Sequence, residues 1–161
     1  MPMLSNAQEC APPVSGRLAL RQLPFLRFSL QSVGGLQRQA AERYIGARFA
    51  ARHSARIAHF LPHLITLGRA DNYCAAVGFA TATSGPLFAE TYLNAPVKRL
   101  IAQATGENVA RGDILEIGNL ASTWKGSSLL LFVFLAEVIA RLGQRWVLFA
   151  ATREVEVLLD R

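Results

Sequence analysis

Residues 126–142 constrain the fold most, because they are apolar on almost every side of a predicted helix. A helix of this kind must pack against a sheet on one side and against other helices elsewhere. Gly143 follows at the position where helices commonly end. The next segment, residues 145–151, is predicted to be a continuous apolar strand, and a last short helix is predicted over residues 153–159.

A strand is predicted before this helix as well, over residues 113–120. Strand, buried helix and strand in this order predict a right-handed crossover, so residues 113–120 and 145–151 are expected to be neighbouring parallel strands. Upstream, residues 27–33 alternate in polarity as in a strand, and residues 63–69 and 73–83 flank a turn as in a β-hairpin. The sequence therefore predicts an α/β (α+β) protein with a mixed, mostly antiparallel sheet flanked by helices.

The first helix of this arrangement is predicted over residues 36–53. Its apolar face is expected at Leu36, Ala40, Tyr44, Ala47 and Ala51. Arg48, Arg52 and Arg56 follow at steps of four residues on a polar side. They form either a solvated face of the helix or a site for an anion.

The chain is expected to fold as a single domain over residues 25–161, after a loose, proline-containing tail over residues 1–24. Its longest apolar stretch, residues 129–136, is far shorter than the roughly 20 residues that a membrane-spanning helix needs. The first residues show neither the basic start nor the apolar core of a secretory signal. No transmembrane segment is expected, and the cytoplasm is the predicted location.

The net charge of +6 lies wholly in the first part of the chain. Residues 1–70 hold nine Arg and two Glu, whereas residues 71–161 hold eight basic and nine acidic residues. A nucleic-acid partner is therefore not predicted, although a high net positive charge alone would suggest one. Arg outnumbers Lys by fifteen to two. This ratio suits carboxylate or phosphate partners, and a biased coding composition would produce it equally well.

Several classes of site are disfavoured by the motifs that the sequence lacks. His53, His59 and His63 have no Cys or carboxylate partner at a metal-ligand spacing, so no metal is predicted. No G-x-S-x-G, G-x-x-x-x-G-K or G-x-G-x-x-G motif occurs. The esterases, nucleotide hydrolases and dinucleotide-binding enzymes that use these motifs are therefore disfavoured.

The predicted strand over residues 113–120 has unusual chemistry, because Glu116 and Gly118 lie inside it. A buried carboxylate is costly unless it is paired, and Arg111 or an N-terminal Arg is available as a partner. Gly118 indicates a bulge, or the close approach of another backbone or a ligand. The loop over residues 122–127 then leads into a helix N-terminus, where free N–H groups favour an anion.

Three segments carry a family resemblance: TSGPLFAETYLNAPV (residues 83–97), RGDILEIGNLAS (residues 111–122) and GQRWVLFAAT (residues 143–152). In this order they resemble the thermostable hemolysin family, a bacterial group, over about residues 40–160. The motifs L-F-x-E-x-Y-L and E-I-G-N-L-A are fairly specific. The family name reports a haemolysis phenotype and gives little about mechanism.

The same order of elements resembles the acyl-CoA N-acyltransferase (GNAT) superfamily, and within it the acyl-homoserine-lactone synthases. Their T-x-G-P-x segment and their E-x-S-R strand correspond to residues 83–88 and 116–119. Asn119 stands where the synthases place Arg, so lactone production is not implied. The phosphate loop of the superfamily is only partly matched, and the tyrosine acid of its last helix is absent. Coenzyme A is therefore one of two possible acyl carriers.

The resemblance implies acyl transfer from a thioester, carried by coenzyme A or by an acyl-carrier protein, to the amine of a small-molecule acceptor. It implies Glu116 as the base, and backbone N–H groups around Asn119 to Ala121 as donors to the thioester oxygen. The donor is expected to bind at Leu120, Ala121, Lys125, Gly126 and Ser127. The acceptor is expected to bind at Glu90, Tyr92 and Arg111.

Two other interpretations remain open. Glu90 and Glu116 could be structural ion-pair partners of Arg111 and of the first helix, or the protein could be a non-enzymatic, membrane-active or interaction protein. The superfamily usually continues for two strands beyond the position of Arg161. The protein is thus shorter, truncated, or completed by another chain, and the edge over residues 145–151 could pair in a homodimer.

Overall fold

The structure, a computed structural model, describes residues 26–69 and 72–150. Five strands form one sheet in the order β1-β2-β3-β4-β5. They are β1 (Arg27–Ser32), β2 (His63–Arg69), β3 (Asn72–Thr81), β4 (Ile114–Ser122) and β5 (Trp146–Phe149). The helices are α1 (Arg38–His53), α2 (Val97–Thr105) and α3 (Lys125–Arg141). Within the described ranges, no helix has the length and apolar character needed to span a membrane.

The first four strands pair antiparallel, and β5 pairs parallel to β4. Ile114 lies opposite Trp146, and Ile117 lies opposite Phe149. The predicted mixed, mostly antiparallel sheet and its crossover through α3 are therefore confirmed. In the described part of the chain this pairing stops at Ile117, although β4 continues to Ser122.

One face of the sheet packs against α3. The core on this side contains Leu131 and Leu135 of the helix, and Ile65, Leu67, Ala75, Val77, Phe79 and Leu115 of the strands. The outer side of α3 is exposed, and Leu129 and Val133 keep 66% and 64% of their surface accessible. The expectation that other helices cover α3 is wrong for the described residues, because α1 and α2 pack on the opposite face.

On that opposite face, the buried side of α1 overlaps the predicted one in part: Ala40 and Tyr44 pack against the core, whereas Ala47 and Ala51 are exposed. Its buried residues are Arg38, Ala41 and Ile45, whereas Leu36 precedes the helix and is fully exposed. Arg38 can face inward because its guanidinium donates to the carbonyl oxygens of Leu61 and Pro62, at 2.9 and 2.6 Å. These polar contacts, which a search for apolar periodicity does not consider, hold Arg38 on the buried side of α1.

The predictions for residues 1–24 and 153–159 lie outside the described residues. The predicted strand over residues 145–151 is described as far as Ala150, and its pairing as far as Phe149.

Candidate functional site

Glu116 lies in the middle of β4, and only 5% of its surface is accessible. Both of its carboxylate oxygens accept hydrogen bonds from a single turn of 3-10 helix, Phe88–Thr91. The N–H of Phe88 donates to Oε2 and the N–H of Ala89 donates to Oε1, each at 2.8 Å. The buried charge is therefore compensated by backbone donors, and the carboxylate ties residues 85–96, here called the 85–96 loop, to the sheet.

Arg111 was considered above as a partner of Glu116 and, in the alternative interpretation, of Glu90; it pairs with Glu90. Its guanidinium contacts both oxygens of Glu90, at 2.8 and 3.1 Å, and also donates to the carbonyl oxygens of Ala82 and Gly85. Glu90 additionally accepts from the N–H groups of Leu87 and Val97, each at 3.0 Å. The hydrogen bonds from Arg111 are the main cause that lowers the pKa of Glu90 to about 2.

The 85–96 loop thus has two anchoring carboxylates, and it presents aromatic rings on its outer side. The imidazole of His59 stacks on Phe88 with ring centres 4.7 Å apart, and Tyr92 meets Phe88 edge-on at 5.4 Å. Phe88 is 38% exposed and Tyr92 is 76% exposed. Of the predicted acceptor residues, Tyr92 is accessible, whereas Glu90 and Arg111 mainly bind each other and the backbone.

A bulge interrupts β4 directly after Gly118. Gly118 lies opposite Gly78 and Ala121 lies opposite Ala76, so two residues of β4 face one residue of β3. The bulge that Gly118 predicted is therefore present. Asn119, its first residue, has a φ of +53°, a value that Asn adopts more readily than most side chains.

The side chain of Asn119 binds the backbone of the segment that precedes β2. Its Oδ1 accepts from the N–H of Leu61 at 2.8 Å, and its Nδ2 donates to the carbonyl oxygen of His59 at 3.1 Å. The paired glycines leave the space for this contact. A Cβ at Gly78 would lie 2.8 Å from Asn119 Oδ1, and one at Gly118 would lie 3.1 Å from the Leu61 side chain.

The predicted donor-binding residues follow the bulge. Leu120 packs towards α3, and Ala121 is buried towards α1. The hydroxyl of Ser127 is fully buried and donates to the carbonyl oxygens of Cys74 and Trp124, at 3.0 and 2.6 Å. It therefore already has structural partners in the backbone.

Gly126 lies in the first turn of α3, which begins at Lys125. A Cβ at Gly126 would overlap the indole ring of Trp124, so the ring lies against the start of the helix. The glycine is thus explained by the packing of Trp124.

The sequence profile of the thermostable hemolysin family matches residues 32–161. The chain belongs to this family. This member of the thermostable hemolysin family has no match among curated proteins.

Solved structures similar to this hemolysin-family chain include a synthase and an acetyltransferase. The AHL synthase LasI superimposes with a TM-score of 0.58 at 13% identity, over 84% of this chain and 77% of LasI. An aminoglycoside acetyltransferase from an uncultured soil metagenomic sample has a TM-score of 0.48 at 11% identity, over 86% of each chain. The likeness to LasI concerns the fold alone, and the predicted GNAT-like fold of this family member is therefore confirmed.

Three contributors to the site of this hemolysin-family protein were not predicted from its sequence as site residues. They are His59, which stacks on Phe88, and Tyr44 and Arg48 of α1, which contact the residues after the bulge. Arg48 belongs to the row of arginines, Arg48, Arg52 and Arg56, that the sequence places on the polar side of α1, and this row was the feature from which its role could have been predicted. Among residues 26–69 and 72–150, the His, Cys, Asp and Glu side chains form no group that could hold a metal ion.

Proposed function

We propose that this protein is an acyltransferase that moves an acyl group from a thioester to the amine of a small molecule. The observation that carries the proposal is the bulge at Asn119 and Leu120, which lies beyond the last described β4–β5 pair and near the buried carboxylate Glu116. Backbone N–H groups that no neighbouring strand binds are suitable donors to a thioester oxygen.

The direction of the ladder favours Leu120 as that donor. The N–H of Thr123 points to β3, where it donates to Cys74 at 2.8 Å. Because peptide groups of a strand alternate in direction, the carbonyl of Ser122 points to the side of β4 where the described β5 has ended. We propose that the N–H of Leu120, in the bulge, points to the same side. Asn119 contributes to the proposed reaction by stabilising the bulge through its hydrogen bonds to the backbone of Leu61 and His59.

In the proposed reaction, the amine nitrogen attacks the thioester carbonyl carbon while Leu120 stabilises the developing charge on the oxygen. The C–S bond then breaks, an amide forms, and the thiolate leaves and takes a proton from water. Glu116 keeps its predicted role as the base that accepts the amine proton. Each of its oxygens already accepts one N–H bond, so the proton must go to a remaining lone pair.

The donor is proposed to lie along residues 120–127, and its carrier is coenzyme A or an acyl-carrier protein. The start of α3, with Lys125 and Gly126, is the proposed contact for its phosphate groups. The acceptor is proposed to meet the exposed rings of Tyr92, Phe88 and His59. A shallow cleft of about 710 Å³, lined by Glu90 and Arg111 among others, adjoins this loop.

The test is to incubate the protein with acyl-CoA and acyl-carrier-protein thioesters of different chain length, together with a panel of amines, and to follow thiol release. We expect thiol release that depends on an amine. The absence of both thioester binding and thiol release across the panel would contradict the proposal. Size-exclusion chromatography of the same sample tests a homodimer formed through the edge at β5.

A membrane-active protein is the second candidate. Its supporting observation is the exposed apolar side of α3, which includes Leu129 and Val133. It predicts dye leakage from anionic vesicles in the absence of any thioester. Val133→Lys should abolish such leakage, and the same substitution should leave thiol release unchanged if the acyltransferase proposal is correct.

A further inference from the structure

Residues 122–124, here called the β4–α3 connection, are held by two side chains of α1. The hydroxyl of Tyr44 lies 3.0 Å from Thr123 Oγ1, and the Nε of Arg48 donates to the carbonyl oxygen of Ser122 at 3.0 Å. Tyr44 and Arg48 are four residues apart and therefore share one side of α1. Two contacts from one helix thus fix two successive residues of the connection.

The contact from Arg48 replaces a missing strand partner. The carbonyl of Ser122 points away from β3, because the next residue, Thr123, donates to Cys74 in that strand. The described part of β5 ends opposite Ile117 and gives this carbonyl no partner. Arg48 satisfies the carbonyl and stabilises the end of β4 on its open side.

The contact from Tyr44 is equally specific. Its ring meets the ring of Tyr73 edge-on, with centres 6.0 Å apart, and this packing fixes the direction of the hydroxyl. Burial raises the pKa of Tyr44, so the hydroxyl keeps its proton at neutral pH. At neutral pH, either the Tyr44 hydroxyl or the Thr123 hydroxyl can therefore donate the hydrogen bond between them.

The same helix also holds the other side of the candidate site. Arg38 binds the carbonyl oxygens of Leu61 and Pro62, and Asn119 binds the N–H of Leu61 and the carbonyl of His59. The ring of His59 then stacks on Phe88. Through Arg38, α1 fixes the segment beside the aromatic rings, and through Tyr44 and Arg48 it fixes the β4–α3 connection.

We infer that Tyr44 and Arg48 are positioning residues, which set the affinity for the acyl donor by fixing the β4–α3 connection. The inference rests on the proposed function, because the donor is placed along residues 120–127. Neither side chain needs to touch the donor. They act by keeping the Leu120 peptide and the start of α3 in one arrangement, which a donor would otherwise have to order when it binds.

The experiment uses Trp124 as a probe of the connection, because it is one of only two tryptophans. In a Trp146→Phe background, the emission of Trp124 and its quenching by acrylamide are measured without ligand. The dissociation constant for octanoyl-CoA is then measured by titration. The variants are Tyr44→Phe, Thr123→Val, their double mutant, Arg48→Gln and Arg48→Lys. Arg43→Gln is the matched control, since Arg43 is an exposed arginine of the same helix.

We expect Tyr44→Phe and Arg48→Gln to increase the quenching of Trp124 and to weaken octanoyl-CoA binding about three- to tenfold, the usual contribution of one hydrogen bond. Thr123→Val should match Tyr44→Phe, and the double mutant should be no weaker than either single mutant. Arg48→Lys should recover part of the affinity, because lysine can still donate to the carbonyl. Arg43→Gln should change neither signal.

Unchanged quenching and unchanged affinity in Tyr44→Phe and Arg48→Gln would overturn the inference, and so would equal effects from Arg43→Gln. If the unsubstituted protein does not bind octanoyl-CoA or any other thioester of the panel, the proposed function fails and the donor-positioning role fails with it. The Trp124 measurement separates the two cases. It needs no ligand and reports directly whether α1 holds the connection.

Discussion

The backbone N–H of Phe88 donates to the carboxylate of Glu116 across 2.8 Å, although the two residues are 28 positions apart. The N–H of Ala89 makes the same contact with the other oxygen. One side chain in the middle of β4 therefore determines where the 85–96 loop lies. This arrangement gives Glu116 a structural task in addition to its proposed chemical one.

The two tasks of Glu116 can be separated by Glu116→Gln. The amide keeps one acceptor oxygen but turns its NH2 group towards a backbone N–H, which leaves that donor unpaired and should cost about 1–3 kcal/mol of stability. If Glu116 is also the base, thiol release per folded molecule should fall about 100-fold or more. The measurements are a thermal melt and the rate of thiol release.

Glu90→Gln is the matched control for that substitution, because Glu90 also anchors the 85–96 loop through two backbone N–H groups. It should destabilise the protein without removing the proposed base. If Glu116→Gln and Glu90→Gln lower the melting temperature equally and both retain full activity per folded molecule, Glu116 is an anchor only.

Stability should depend on pH through Glu90. Its pKa in the folded protein is about 2, below the ordinary value of 4.5, so the folded state binds the proton less readily than the unfolded state. The resulting stabilisation, roughly 2–3 kcal/mol, is fully present above pH 4.5 and is lost as the pH falls towards 2. Urea unfolding at a series of pH values from 6 down to 2 measures this loss in the free energy of unfolding. Glu90→Gln should flatten the profile, and an unchanged profile would contradict the assignment.

The glycine pair opposite the bulge should tolerate alanine unequally. Gly78→Ala brings a Cβ within 2.8 Å of Asn119 Oδ1 and 3.1 Å of Leu61 Cβ, so we expect a loss of about 1–3 kcal/mol. Gly118→Ala meets only the Leu61 side chain, at 3.1 Å to its Cδ1, and should cost less. Chemical denaturation of both variants measures the difference, and equal losses would contradict this account.

Asn119 combines a positive φ with two hydrogen bonds, and two substitutions separate these contributions. Asn119→Ala loses both hydrogen bonds and retains the unfavourable φ, so it should cost about 2–4 kcal/mol. Asn119→Gly loses the same bonds but accepts the φ, and should therefore be about 1 kcal/mol more stable than the alanine variant. Equal stabilities of the two variants, measured by thermal denaturation, would show that the backbone angle contributes nothing.

The sheet and its crossover could be predicted because their signal lies in apolar residues close together in sequence. Residues 126–142 required burial on a sheet, and the adjacent apolar segments supplied parallel β4 and β5. Gly118 predicted the bulge for a similar reason, since a glycine inside an apolar strand is a local anomaly.

The partners of Glu116 could not be predicted in the same way, and the pair of Glu90 and Arg111 was only one of the interpretations that the sequence left open. Glu116 is bound by two backbone N–H groups, and every residue except proline carries such a group, so no residue type marks the partner. Arg111 pairs with Glu90 because the 3-10 turn at Ala82–Ser84 and the loop after it bring them together. Such contacts depend on the path of the chain between strands, on which periodicity carries no information.

The bulge in β4 also constrains how many residues the strand can have. Glu116 and Ala121 are five positions apart, and in a regular strand their side chains would face opposite sides of the sheet. They face the same side, because the extra residue of the bulge lies between them and shifts the alternation of side chains by one. A relative that lacked one residue between Gly118 and Ala121 would turn either its carboxylate or the whole end of β4 to the α3 side. The length of this strand is therefore as strongly constrained as its chemistry, and single-residue insertions or deletions there should be the least tolerated changes in the sheet.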